Sequence, residues 1–426
     1  MERFDITVIG AGPAGVCAAI EAARCGMRVL VVENSTICGG MIKRGGLSNV
    51  GYFFARGKAI IGGIGWELAQ ECAMLTDTPI PPPDYHSPNR PGFLMHVDGN
   101  MFAMLAEEKF LLAGGTLAYG SFPVRTEFCG HEWYLQIAGK GIMRDVVSAQ
   151  VIDCSGDASF VRLAGGEVTR SVHCQPGTLE FHLTGYDPEK LDPEVMNRVY
   201  REALSSGELQ EGDFYPPEGD FMVYLQRGGG NLQHLFGADS ADALLQGEAD
   251  IAGRQRLLRM LRFLRRQPGL EHCKVERMAE TSGIRESWRI VGLHTITEEE
   301  YLHGIEFPDA VALSYYFIDV HNEHGIEMKF IDDGAWPEIP LRALIPIDLP
   351  NCLVAGKMLS CDDRAYSALR VMGSCMGMGQ AAGAAASVAV RRNVSPKALD
   401  SSEVRAVLRD HRAILPDRYQ EIEKTL

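Results

Sequence analysis

Cysteine pairs of the C-x-x-C type are missing from this chain, and no second short cysteine spacing replaces them. Eleven cysteines are scattered through it, many inside apolar runs. That pattern argues against a structural zinc ribbon and against a redox-active dithiol, and it fits thiols kept reduced in a cytoplasmic setting. No metal site is expected. Positive charge is also scarce. Lys and Arg number 41 against 56 Asp and Glu, a formal net charge of −15. Nucleic acid and anionic membrane surfaces are poor partners for such a surface. Long apolar runs are lacking as well: nothing approaches the ~18 residues of a membrane span. The first strand-like stretch begins at residue 5, so no cleavable leader is expected ahead of it.

What is present is concentrated near the start. Asp5-Ile6-Thr7-Val8-Ile9 reads as a buried strand. It runs into Gly10-Ala11-Gly12-Pro13-Ala14-Gly15, which fits G-x-G-x-x-G. In that motif the first glycine makes the tight turn, the second lets a pyrophosphate reach the backbone, and the third lets the helix lie on the sheet. A helix to Arg24 and a second strand, Arg28 to Val32, follow, and Glu33 ends the unit eighteen residues after Gly15. A carboxylate at about that distance meets a ribose diol. The unit predicts dinucleotide binding. It does not by itself separate FAD from NAD.

With 426 residues, the chain has room for two or three domains at about 150 residues each. Two glycine pairs, Gly39-Gly40 before Met41 and Gly45-Gly46, suggest backbone pressed against a flat ligand. Cys38 has no second cysteine near it, so a dithiol exchanging with flavin is not supported. Helices are predicted over 64–75 and 98–113, and a proline-rich loop over 76–92. Strands are predicted at 116–119, 124–128, 132–137 and 149–153. From Val172 to about Ile339 the pattern reads as mostly strand with helical insertions, including a hairpin of 221–226 with 232–236. The stretch 241–267 reads as a helix whose six arginines make a solvated face. Near the end, 353–356 reads as a last strand. Gly373 to Val390 reads as a small-residue helix whose N-terminus, near Ser374, can point at a ligand.

Four further stretches carry a resemblance. Val151 to Ala158, VIDCSGDA, is similar to a V-I-D-A-T-G-D-A/G motif, with Cys-Ser replacing Ala-Thr. Gly283 to Ile290 contains Arg285-Glu286-Ser287-Trp288-Arg289-Ile290, similar to R-E-S-R-R-I, with Trp288 replacing an arginine. Ile339 to Pro346 is similar to I-P-Y-R-x-L-I/V-P. Arg370-Val371-Met372 followed by Gly379-Gln380-Ala381-Ala382-Gly383 is similar to R-V-M … G-Q-A-A-G. Over nearly its whole length the chain resembles bacterial FAD-dependent oxidoreductases of the glutathione-reductase-like superfamily.

The resemblance implies an α/β fold. A Rossmann-like FAD-binding domain, a parallel sheet with helices and a small antiparallel sheet, carries an inserted, mostly β substrate domain. The implied division is 1–171 for the first part of the FAD domain, 172–339 for the insert, and 340–426 for the second part with a C-terminal helix. It implies FAD, with the pyrophosphate at Gly10, Gly12, Pro13, Ala14 and Gly15. The ribose falls at Glu33 and Asn34, with Gly39, Gly40 and Met41 beside it, and the adenine near Val124. Ser155, Gly156, Asp157, Gly356, Lys357, Arg370, Gly373 and Ser374 are expected towards the flavin half. Many relatives have Gly-Asp where this chain has Gly356-Lys357. Lys357 accepts no hydrogen bond, so the ribityl chain must be held differently there.

Flavin performs the redox step, so the protein's own chemistry is substrate binding and proton handling. Arg285 is the candidate to fork onto a substrate carboxylate. His321 and His294 are candidate proton carriers, with His324, Tyr315 and Tyr316 as further options. The expected activity is hydride transfer between a small organic substrate and FAD, with an unidentified electron acceptor or donor. Neither nucleic acid nor membrane is an expected partner, and a homo-oligomer is left open. A flavin monooxygenase is the alternative. The halogenase signature G-W-x-W-x-I-P is absent, and Trp336-Pro337-Glu338-Ile339-Pro340 resembles it only superficially. An electron-passing flavin subunit is a second alternative, though no ferredoxin-like cysteine cluster accompanies it.

Overall fold

A computed structural model describes residues 1–82, 94–172, 174–215, 219–322 and 325–416. Strand β1 (Glu2–Ile9) carries Ile6 and Val8 with no exposed surface. An apolar strand buried on both faces belongs inside a parallel sheet. Helix α1 (Pro13–Arg24) follows, then β2 (Val29–Glu33), parallel to β1. Helices α2 (Gly63–Leu75) and α3 (Gly99–Leu112) pack against each other, and Asp98 caps α3 by accepting from the Asn100 and Met101 amides. Strand β3 (Thr116–Tyr119) joins the sheet beside β2. Then β4 (Phe122–Cys129) and β5 (Glu132–Gly139) form an antiparallel ribbon. Strand β6 (Ile142–Asp153) pairs with β5 through its first half and runs parallel to β1 along most of its length.

The second core uses residues from Leu179 to Ile284. Strand β7 (Phe181–Thr184) leads to helices α4 (Pro193–Ser206), α5 (Phe221–Arg227) and α6 (Ala243–Leu264), and β8 (Lys274–Met278) returns beside β7. Asp192, Asp220 and Asp242 start the three helices by accepting backbone N–H bonds. Helix outweighs strand in this region, more than a mostly β reading expects. The expected hairpin is one reason. Phe-Met-Val-Tyr-Leu is a short apolar run that suits a strand, but Asp220 caps its start and Gly228, at φ 66°, ends it as a helix. Its rings enter an aromatic cluster in which Tyr200 stacks on Phe221 at 4.7 Å between centroids. The segment from Ile296 to Ile339, including β9 (Ile318–Asn322), packs into the first core instead.

The chain then completes the first sheet. Strand β10 (Cys352–Val354) pairs in parallel with Val151–Asp153 of β6, giving the order β3-β2-β1-β6-β10, with the β4–β5 ribbon on the start of β6. Helix α7 (Met372–Arg392) lies against α1. The approach is close enough that a Cβ on Gly379 would sit 2.1 Å from the Ala14 carbonyl oxygen. Helix α8 (Ser401–Asp410) packs on α7. Among the described residues no helix is long and apolar enough to cross a membrane. The expected proline-rich loop falls partly, and His324 wholly, outside the described residues.

Candidate active site

Parallel strands deliver their turns to one edge of the sheet, and a cleft opens there. Gly10, Gly12, Pro13, Ala14, Glu33, Asn34, Gly40 and Met41 line one stretch of it. Ser155, Gly156, Asp157, Gly356, Lys357 and Arg370 line the other. The three motif glycines act differently. A Cβ on Gly15 would lie 1.9 Å from the Gly10 carbonyl oxygen, so this glycine is required for packing alone. A Cβ on Gly12 would meet no protein atom closer than 4.0 Å, and it would stand in the cleft. Gly12 is also the cap residue of α1 and supplies no side-chain bond to the helix start. An open helix N-terminus with bare backbone is suited to a pyrophosphate.

Glu33 holds this turn from β2. Its Oε2 accepts the Ala11 amide at 2.7 Å and its Oε1 accepts the Ser35 amide at 2.8 Å. Each oxygen keeps a second lone pair for a ligand hydroxyl. At the end of β6, buried Asp153 fixes the second turn. Its Oδ1 accepts from Ser155, and its Oδ2 accepts from Phe160 and Val161 at 2.9 and 3.1 Å. Burial pushes its carboxyl up to about 6.

The Glu33 end of the cleft is lined by Ser121, Phe122 and Pro123; Val124, beside a register shift in β4, is not part of the lining. Gly39 donates its amide to the Ala11 carbonyl and stays out of the lining. Gly373 is closed against Gly51, whose carbonyl accepts its amide at 3.1 Å. Ser374 donates to the Ser314 hydroxyl at 2.8 Å. Their neighbours Met372 and Cys375 line the cleft in their place, so the first turn of α7 still faces it. Lys357 donates its Nζ to the Ile284 carbonyl at 2.9 Å, and burial lowers its ammonium below the usual lysine range.

At this end the cleft meets a polar cluster. Arg285 is buried and donates to the Pro176 carbonyl and, at 3.2 Å, to the Thr178 hydroxyl. It makes no ion pair with Glu286, whose oxygens are held by the Gln175 side chain and amide. Burial and the neighbouring Arg370 lower the Arg285 guanidinium to about 9. Arg370 reaches the Asp319 carbonyl oxygen at 3.3 Å and Gln175 at 3.4 Å, and its buried Nε has no partner. His321 lies between Asp319, 3.4 Å from its Nε2, and His234, 3.1 Å from its Nδ1. The tautomers that satisfy both contacts put a proton on each Nε2, leaving the buried Nδ1 of His234 an acceptor without a donor. Burial, Arg285 and His321 push His234 down to about 3, and burial lowers His321 too, so both are neutral at pH 7.

Neither Arg285 nor His321 is in the cleft lining; His321 lines a second cavity of about 670 Å³, with Gln175, Glu286 and Asn322 in its wall. His294 is elsewhere: it faces Glu300 at 3.2 Å and packs on Phe307. Tyr315 and Tyr316 are buried in the first core. His234, Gln175 and Ser282 were not singled out in the sequence. They carry no local motif, and only the fold gathers them here.

No curated protein matches the chain. Among solved structures, a geranylgeranyl bacteriochlorophyll reductase-like protein from Thermoplasma acidophilum is 13% identical with a TM-score of 0.47, covering 97% of this chain and 84% of that one. A flavoprotein/dehydrogenase from Cytophaga hutchinsonii is 14% identical with a TM-score of 0.43, covering 92% and 79%. A flavin-dependent brominase is 12% identical with a TM-score of 0.42, covering 96% and 83%. Such distant likenesses say nothing of substrate. The sequence profile described as FAD dependent oxidoreductase matches residues 5–408, from the first strand through the last helix. The chain therefore belongs to the FAD dependent oxidoreductase family, and it is an FAD-dependent enzyme.

Proposed function

We propose that this protein moves a hydride between a small organic substrate and FAD held along the cleft. The observation that carries the reading is the cleft itself. Residues 9, 10, 12–14, 32–34, 154–157 and 355–357 line one continuous groove that begins at an uncapped helix N-terminus. The pyrophosphate lies over Gly12 to Ala14, the ribose at Glu33 and Asn34, and the adenine against Ser121 to Pro123. The flavin half extends past Gly156, Gly356 and Lys357 to Arg370 and the start of α7. When bound, FAD supplies the electron-pair chemistry.

The chain's own residues do the rest. Arg285 and Arg370 orient an anionic group of the substrate, and Asp319 holds His321 in one tautomer. His321, neutral near pH 7, has Nδ1 as its one basic atom, and it takes the substrate's proton there in exchange for the hydrogen bond from His234 Nε2–H. His294 is left out of this set because it is committed to Glu300. The proposal includes the division at 171/172 and 339/340, of which the second core of Leu179 to Ile284 supports a separate insert while 296–339 packs into the first core, and membership of the bacterial glutathione-reductase-like flavoproteins. It also includes a cytoplasmic location, with all eleven cysteines free. A separate electron donor or acceptor completes the cycle, and a homo-oligomer is left open.

Anaerobic titration of the purified protein with a panel of small metabolites tests this. The expected result is bleaching of the flavin absorbance by at least one of them. If neither a metabolite nor reduced nicotinamide bleaches it, the protein is an electron-passing subunit. If the reduced protein is reoxidised rapidly by oxygen with hydroxylation of the substrate, it is a monooxygenase.

A further inference from the structure

Away from the cleft, the far end of α1 carries a second cluster. Glu21 and Cys25 are four residues apart, so they stand one above the other on the same face of the helix. The turn after α8 brings His411 to them. Its Nδ1 lies 2.6 Å from Glu21 Oε1, and Cys25 Sγ lies 3.7 Å from the same oxygen. One nitrogen, one oxygen and one sulfur thus converge, with all three ligand atoms within 4.8 Å of one another. The carboxylate is fully buried, whereas the His411 side chain is 29% exposed, so an ion can enter from solvent.

We propose that Glu21, Cys25 and His411 form a zinc site with a fourth position open to water. Tetrahedral zinc with bonds of about 2.0–2.3 Å places its ligands roughly 3.5 Å apart. The Cys–Glu separation already has that value, and the His–Glu pair must open by less than about 1 Å. An N, O and S donor set suits zinc better than magnesium or calcium, which prefer oxygen alone. The surroundings supply the outer partners such a site uses. The Gln380 amide donates to Glu21 Oε2 at 3.0 Å, leaving Oε1 turned to the other two ligands, and it is fixed in turn by the Ile64 amide on its own oxygen. It also donates to the His411 carbonyl, which ties the end of α8 to α7. The site is separate from the cleft, and its role is to clamp the C-terminal helix onto the FAD-binding core.

The test is the zinc content of the FAD-loaded full-length protein after dialysis against a micromolar-affinity chelator. One zinc per chain is expected. Cys25→Ser and His411→Gln should each weaken zinc retention at least tenfold, while FAD stoichiometry stays at that of the unaltered protein. No retained zinc, or retention unchanged in both variants, overturns the site and leaves a hydrogen-bonded cluster only. If the variants fail to fold, cobalt replaces zinc in the unaltered protein. A thiolate-to-cobalt charge-transfer band supports the assignment, and its absence overturns it.

Discussion

Six consecutive residues, Gly10 to Gly15, build one end of the cleft. At the other end Gln175, His234, Arg285, the pair Asp319 and His321, and Arg370 come together from five separate stretches of chain. The first end works through backbone: bare amides, a helix terminus and the absence of one side chain. The second works through buried side chains that hold one another. A backbone site is fixed by local sequence, so it can be read in a window of about thirty residues. A side-chain site exists only after the topology has joined strands and helices far apart in sequence.

The sharpest test of that contrast substitutes two glycines three residues apart. Gly12→Leu sits at φ −70° and ψ −176°, extended backbone that any residue adopts, and its side chain enters only the cleft. The variant should fold with an unchanged circular dichroism spectrum and lose nearly all FAD on gel filtration. Gly15→Ala should instead fail to fold, because its methyl group meets the Gly10 carbonyl; overpacking against backbone costs ~3 kcal/mol or more. Equal FAD retention in the two variants would erase the distinction.

The polar end should answer in the opposite way. Arg285→Lys keeps a cation and loses the planar fork. FAD content should stay full while substrate-dependent flavin reduction falls roughly tenfold to a hundredfold, the equivalent of one lost charge-assisted hydrogen bond. An unaltered reduction rate would remove Arg285 from substrate binding.

The smallest effect concerns His234, which faces Arg285, His321 and Asp319. Its folded value, about 3, lies below the ordinary 6.5, so the unfolded chain binds more protons between these values. The stability it confers is present above 6.5 and is lost as the pH falls towards 3. The unfolding free energy from urea titrations should drop by roughly 1 kcal/mol per pH unit below pH 6, and His234→Gln should flatten that slope. A slope identical in both proteins would mean that other groups carry the acid sensitivity.

These differences also mark what could be read in advance. The βαβ unit, the position of Glu33 and the helices at 63–75 and 99–112 follow from periodicity, caps and glycine spacing. The turn after Asp153 was legible through its motif. Residues 221–227 were misread because a short continuous run of large apolar groups also suits a strand, while the deciding signals, Asp220 and Gly228, flank it. His294 was misplaced because a histidine's surroundings depend on tertiary contacts, here Glu300 and Phe307. His234 could not have been found at all: a lone histidine gives no periodic or spacing signal. The zinc ligands are invisible to cysteine arithmetic for the same reason, since His411 joins Glu21 across nearly the whole chain.

Strand β6 sets the order in which the molecule can be made. Its last three residues pair on one side with β1, synthesised earlier, and on the other with Cys352 to Val354, about 200 residues later. On the ribosome, at ~5–20 residues per second, that edge stays open for roughly ten to forty seconds. Helix α1 likewise waits for α7, its main packing partner, until after residue 372. Meanwhile the second core, closed within Leu179 to Ile284, has every residue it needs and can condense first. The nascent chain therefore passes through a stage with a finished middle and an unfinished first sheet, whose apolar edge is exposed to other chains. Chaperone demand during synthesis should concentrate in that interval, before the last strand emerges.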